Sequence, residues 1–318
     1  MSISYRAEVD GLRTIAVLSV VIFHLGGTPL VGGFTGVDIF FVISGFLITS
    51  NILKETDNKT FSFKRFYEKR IRRLFPALFA TVIVSTVVAY FLFMPSELKD
   101  FGQSMAAAVT YSSNLFFYIS SDYFEGPSEL KPLLHTWSLA VEEQFYIVYP
   151  FLLVFLLDRY RNKAQLVILL LTAILFLSTL IGLRFDHSAM FYLSPFRFWE
   201  LLIGAWLAFF SSKTTVSNSK SANILVTVGL FGIGFSVFFI DESLPFPGWT
   251  ALPAVLGASL VIFAGQSSKL GQMLLANSPM VWIGKISYSM YLWHWPVVVF
   301  FGYYIIRPIT LTESLCSD

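Results

Sequence analysis

The sequence predicts an all-α polytopic membrane protein, a single bundle of about nine to ten transmembrane helices. Composition and run length carry that expectation. Of the 318 residues, 55% are hydrophobic, 17% aromatic and only 13% charged, whereas soluble domains carry roughly a quarter charged residues. Mean hydropathy is +0.69. The apolar residues come in runs close to the ~20 residues that cross a bilayer as helix, not in the alternating stretches of about ten that barrel strands use. The net charge of +2 points to no nucleic-acid partner. The single cysteine, Cys316, leaves no disulfide framework and no cysteine-cluster metal site.

The apolar segments fall at 11–29, 35–53, 74–94, 101–121, 138–157, 165–185, 194–211, 222–240, 250–266 and 284–304. The first, GLRTIAVLSVVIFHLG, holds Arg13 near its start and His24 near its end. Eleven residues at about 100° each turn through roughly 1100°, about 20° past three full turns, and rise about 16 Å. The two side chains therefore share one stripe, a cation towards one membrane surface and an imidazole towards the other. Snorkelling to the headgroups is the plain account. The alternative is a site facing the bundle interior, where intramembrane charge is usually found. No small-residue cleavage site follows, so the segment reads as retained.

Between the second and third segments lie Lys54, Lys59, Lys64, Arg65, Lys69, Arg70, Arg72 and Arg73. Positive-inside bias makes that connection cytoplasmic, and the N-terminus with it. Arg159, Arg161 and Lys163, then Lys213 and Lys220, then Lys269 mark further inside loops, whereas 241–249 has Asp241 and Glu242 and no cation. An even number of crossings must separate 54–73 from 158–164, yet three segments lie between. The most polar, 101–121, reads as re-entrant or outward-lying, which leaves nine crossings and an outer surface for 95–137.

Within the basic connection, SFKRFYEKRIRRLFPAL reads either as an interfacial helix on anionic lipid or as a polyphosphate site. Arg70 and Arg73 are three apart, so they share a helix face on which two guanidinium forks can clamp phosphate. No P-loop and no GxGxxG occurs. On the outer side, Asp38 opens the second segment, and His135, Trp137, Glu142 and Glu143 stand at the entrance to the fifth. Singly they are a helix-start carboxylate, a first-turn residue and a belt tryptophan. Together with His24 they are an imidazole with candidate carboxylate orienters, which suits general-base work on a hydroxyl. No HExxH spacing appears, and no metal is expected. Arg197 and Glu200, three apart, read as an intramembrane ion pair with a tethering role. His294, between two tryptophans, reads as an aromatic-packed structural histidine, and His187 beside Asp186 as surface.

The stretches YRAEVDGLRTIAVLSVVIFH, GGFTGVDIFFVISGFLIT, FYEKRIRRLFPA, LLHTWSLAVEEQFYIVYP, FRFWELLIGA and ISYSMYLWHWPVVVF run in order from Tyr5 to Phe300. In this they resemble the acyltransferase 3 family of bacterial membrane O-acyltransferases, particularly those that modify O-antigen and related cell-envelope glycans. The resemblance implies an inner-membrane enzyme that moves an acyl group, usually acetyl, from cytoplasmic acyl-CoA to a hydroxyl of a periplasmic glycan (O-antigen, lipopolysaccharide or similar). The family's Arg–ten residues–His motif falls on Arg13 and His24, and its Arg-x-x-Arg motif on Arg70 and Arg73. Asp38 and Glu143 match further recurrent positions. Arg13, Arg70 and Arg73 are thus expected to hold acetyl-CoA, the donor substrate, with no permanently bound cofactor. His24, with Asp38 or Glu143, is expected to act as general base or through an acyl-histidine, at the outer end of a tunnel through the bundle. Residues 1–306 form the expected acyltransferase domain and 307–318 a short tail. Similar proteins continue past the YLWHWP helix, many into an SGNH-type domain, so a chain stopping at Leu315-Cys316-Ser317-Asp318 reads as truncated. A transporter or flippase for a glycan or acyl precursor is the rival reading; it would show inverted repeats and Gly/Pro-broken helix pairs, neither of which is evident.

Overall fold

The computed structural model describes residues 5–26, 29–123 and 131–314, with side chains left out at 121–123 and 306–314. Among the described residues every regular element is helical. The helices are α1 Ala7–His24, α2 Gly36–Asp57, α3 Phe63–Leu92, α4 Pro95–Val109, α5 Ser113–Tyr123, α6 Thr136–Gly182, α7 His187–Tyr192, α8 Phe198–Lys213, α9 Ser219–Phe239, α10 Leu252–Ala264, α11 Lys269–Leu275 and α12 Ser278–Ser314. α12 therefore runs on through part of the expected tail, and Cys316 lies outside the described residues.

The charged residues of α1 lie inside the bundle: Glu8 and Asp10 are buried, and Arg13 bonds to Asp10 at 3.2 Å. Large apolar side chains such as Phe91, Phe155 and Phe231 point outwards instead, the arrangement a lipid solvent favours. With no aqueous solvent to drive helices together, close backbone approach has to hold them. α2 and α8 show it: a Cβ added at Gly45 would overlap the Leu201 carbonyl, and one at Gly204 would overlap that of Val42.

Two hairpins set the topology. α6 breaks at Tyr160, where φ is −138° and ψ 40°. Past the break the chain returns: the Trp137 ring lies 4.5 Å from that of Phe191, and Ser194 hydroxyl donates to Gln144. Segments 138–157 and 165–185 are thus the two arms of one hairpin, with the expected loop at 158–164 reduced to a sharp break. α4 and α5 make the second hairpin. Thr86 of α3 meets Met105 of α4 at 3.3 Å, and at the tip Tyr111 packs on Phe75 with ring centroids 5.8 Å apart. α5 then climbs back to place Tyr118 on Asp186 at 2.9 Å. Segment 101–121 is therefore an in-and-out pair that turns back inside the bundle, as its polarity predicts.

The basic connections gather at one end. Arg161 pairs with Asp57, Lys69 with Glu55 at 3.0 Å, and Lys213 bonds Gln165 at 3.0 Å. Length and apolarity alone single out four described helices as able to cross a membrane, or five when the α10–α11 pair, bent by 111°, counts as one. That is fewer than the nine to ten segments expected. The shortfall has physical causes: α1 carries Glu8, Asp10 and Arg13 on its interior face, and α8 has only 16 residues.

Candidate active site

Among the described residues, two chambers stand out in the bundle. The inner one, about 160 Å³, is lined by Arg13 from α1, Ser44 from α2, Arg70 and Arg73 from α3, Tyr111 from the α4–α5 tip, Glu142, Glu143 and Tyr146 from α6, and Tyr288 and Tyr291 from α12. The spacing of three places Arg70 and Arg73 on one face, and both reach the same space. Arg72, off that face, points outwards and pairs with Glu68 at 2.8 Å. Neither Arg70 nor Arg73 joins an ion pair among the described residues. The Arg70 guanidinium stacks on the Tyr146 ring, 3.4 Å from its centroid. Glu142 is held by hydroxyl donors from Ser44 and Tyr146. With Arg13 already paired to Asp10, Arg70 and Arg73 are the two lining guanidinium groups outside any ion pair among the described residues, and their forks suit an anion.

The outer chamber, about 770 Å³, is lined by His24, His135, Trp137, Arg197, Tyr291 and Trp295, among others, with Phe23, Phe34, Phe191 and Phe246 adding to its aromatic wall. Arg13 and His24 thus open into different chambers from one face of one helix, as their phase predicts. The chambers share Val37 and Tyr291 as lining. At that wall Tyr291 hydroxyl donates to the His135 carbonyl at 3.1 Å and lies 2.6 Å from Ser138 Oγ. The two chambers abut at Val37 and Tyr291, along the line where the tunnel was expected.

Asp38 is completely buried and bonds Arg197 at 2.6 Å, while Arg197 also reaches Glu200 at 3.1 Å. The Arg197–Glu200 pair expected from spacing is therefore a triad. Four aromatic rings, those of Phe41, Trp137, Phe191 and Phe246, surround the guanidinium at 5.2–5.8 Å. Asp38 is committed to this cation, and Glu142 and Glu143 line the inner chamber, so the structure does not bring these three carboxylates to His24. The ring partner of His24 is His294, with Nδ1 of His24 3.0 Å from Nε2 of His294. His135, placed beside His24 by sequence reasoning, stands 5.5 Å from the His294 ring. His187 lines the rim of the outer chamber.

Sequence reasoning did not place Tyr288 and Tyr291 at a chamber, and it read His294 as packed among aromatic rings without its contact to His24. Their spacing of three puts all of them on one stripe of α12, a signal hidden by the surrounding aromatic residues. Tyr146 had the same kind of signal, lying four residues after Glu142.

Residues 6–316 match the acyltransferase 3 family, described as an acyltransferase domain. The O-acetyltransferase OatA of Staphylococcus aureus is 35% identical over an alignment covering 95% of this chain and 52% of the relative. The peptidoglycan O-acetyltransferase OatA of Listeria monocytogenes is 35% identical over 92% of this chain and 49% of the relative. The chain thus spans about half the length of these curated relatives. No solved structure matches it. With an arginine chamber and a histidine chamber built from the stretches that carry the likeness, and a match running nearly end to end, the chain belongs to the acyltransferase 3 family.

Proposed function

We propose that this chain is a membrane O-acetyltransferase that takes an acetyl group from acetyl-CoA at the cytoplasmic face and delivers it to a hydroxyl of a cell-envelope glycan on the other side. The observation that carries the reading is the separation of the two chambers. An anion-binding set, Arg13, Arg70 and Arg73, opens at the basic end, and an imidazole, His24, opens into the aromatic chamber beyond Tyr291. Positive-inside bias puts the basic end, and the N-terminus, in the cytoplasm of a bacterial inner membrane.

In this reading Arg70 and Arg73 grip the phosphates of CoA at the exposed mouth, with the Tyr146 ring under the Arg70 guanidinium fixing its orientation. The pantetheine arm extends past Arg13 towards the wall at Tyr291, so the thioester carbonyl comes within reach of the outer chamber. There His24 takes the proton of the acceptor hydroxyl as its oxygen attacks the carbonyl carbon. The C–S bond breaks, and the thiolate leaves with the proton that His24 had accepted. Asp38 acts indirectly, by holding Arg197 in the chamber wall. The aromatic wall offers flat faces against the C–H surface of a sugar. The names of the relatives favour peptidoglycan as acceptor over the O-antigen or lipopolysaccharide expected from the sequence.

The test is transfer from radiolabelled acetyl-CoA to envelope glycan in membranes. His24→Ala is expected to lower the rate by about 10²–10⁴-fold. Transfer that survives this change, or movement of unmodified glycan without acetylation, would overturn the reading, the second outcome in favour of a transporter.

A further inference from the structure

A general base needs one bare ring nitrogen aimed at its substrate, and a histidine has two candidates. Which one is bare is settled by what the other bonds. In serine hydrolases a carboxylate makes that choice. Here Asp38 is committed to Arg197, and Glu142 and Glu143 line the other chamber, so the choice falls to something else.

The hydrogen bonds around His24 have one consistent direction. The backbone carbonyl of Tyr291 can only accept, and Nδ1 of His294 lies 2.6 Å from it, so Nδ1 of His294 carries the hydrogen. A neutral His294 then has a bare Nε2. Nδ1 of His24 lies 3.0 Å from that nitrogen and must be the donor. A neutral His24 is thereby left bare at Nε2. The direction starts at a backbone carbonyl, which neither titrates nor rotates away.

The ring geometry fits a hydrogen bond and not a stack. The two imidazoles are inclined by only 21°, but their centroids are 5.1 Å apart, well beyond the 3.0 Å between the nitrogens, so they meet edge to edge. Trp295 packs on His24 at 4.5 Å and Phe23 lies 5.3 Å away, which limits ring rotation. The Trp295 indole is itself anchored, donating to the Lys131 carbonyl at 2.8 Å. His294 is buried, and His24 lines the outer chamber.

We infer that His294 is a positioning residue that fixes the tautomer and orientation of His24, so that Nε2 of His24 is the atom presented to the acceptor hydroxyl. This rests on the proposal that His24 is the general base. When His24 takes the proton, its Nδ1–H still points at the bare Nε2 of His294, which steadies the imidazolium without a carboxylate.

The test uses the full chain in membranes, with His294→Leu, which removes the acceptor, and His294→Gln, whose amide oxygen reaches about as far as Nε2. Loss of the partner that orients a metal-bound histidine typically costs 10–100-fold, and the same scale is expected for a histidine base. His294→Leu is accordingly expected to lower kcat by about 10–100-fold with KM for acetyl-CoA unchanged within twofold, and His294→Gln to recover most of that loss. Solid-state nitrogen NMR of histidine-labelled protein gives a readout independent of turnover. The His24 signals, identified by their absence in His24→Gln, are expected to show a protonated Nδ1 and a bare Nε2. A bare Nδ1 in the wild type, or wild-type kcat in His294→Leu, would overturn the inference. Full activity in His24→Gln would instead remove the base assignment itself, and the two failures are told apart by that variant alone.

Discussion

At the scale of single residues, Arg197 makes the sharpest statement. Its guanidinium is completely buried and pairs with both Asp38 and Glu200. Arg197→Met would leave two carboxylates facing each other with no cation. Breaking a buried ion pair from one side typically costs about 3–5 kcal/mol, so a clear fall in the melting temperature of the detergent-solubilised protein is expected. Arg72→Ala is the contrast: its pair with Glu68 is largely solvent-exposed, and such pairs contribute about 0.5 kcal/mol or less. An unchanged melting temperature in the Arg197 variant would contradict the triad. The same triad shows how far single residues could be read in advance. Arg197 and Glu200 lie three apart on one helix, so their pairing was legible from spacing. Asp38 is 159 residues away from Arg197, and no local pattern announces that contact. The inward setting of His24 was legible because an imidazole in an apolar run needs a reason, and it lines the outer chamber. Its partner His294 was not, because flanking tryptophans give it an equally good packing role.

At the scale of elements, approach between helices decides the outcome. Gly45 sits where α2 and α8 touch backbone to backbone. Gly45→Leu should push them apart, at a cost of about 1–3 kcal/mol or more, and because Ser44 and Val37 on α2 line the inner chamber, CoA binding should weaken with it. Gly102→Ala is the control, since nothing lies within 4 Å of an added Cβ there. Equal melting temperatures for the two variants would contradict the packing account. Segment positions were legible from apolar run length, and the polar character of 101–121 disclosed its turning back. The break in α6 was legible as a connection at 158–164 from Arg159, Arg161 and Lys163, but its sharpness was not, since Arg159, Tyr160, Arg161, Asn162 and Lys163 contain no glycine or proline.

At the scale of the whole molecule, transfer across the membrane requires sidedness. The contacts of Asp57 with Arg161 and of Lys213 with Gln165 collect the cationic connections at one end, and Asp241 and Glu242 lie in a connection without cations. In a Cys316→Ser background, Ser243→Cys should react with a membrane-impermeant maleimide on intact spheroplasts. Lys163→Cys should react only after permeabilisation. The reverse pattern would invert the bundle and place His24 on the cytoplasmic side. The gathering of the cationic connections at one end was legible because lysine and arginine positions survive without any knowledge of packing. The division into two chambers was not, because its wall joins Ser138 and Tyr291, 153 residues apart.

The central claim is that donor binding and chemistry occupy different ends of the bundle. Equilibrium binding of radiolabelled CoA to the purified full chain tests it most directly. Arg70→Ala with Arg73→Ala is expected to weaken binding at least about tenfold, roughly 1.4 kcal/mol, whereas His24→Ala should bind CoA as the wild type does. Undiminished binding by the double arginine variant, or lost binding by His24→Ala, would contradict the separation.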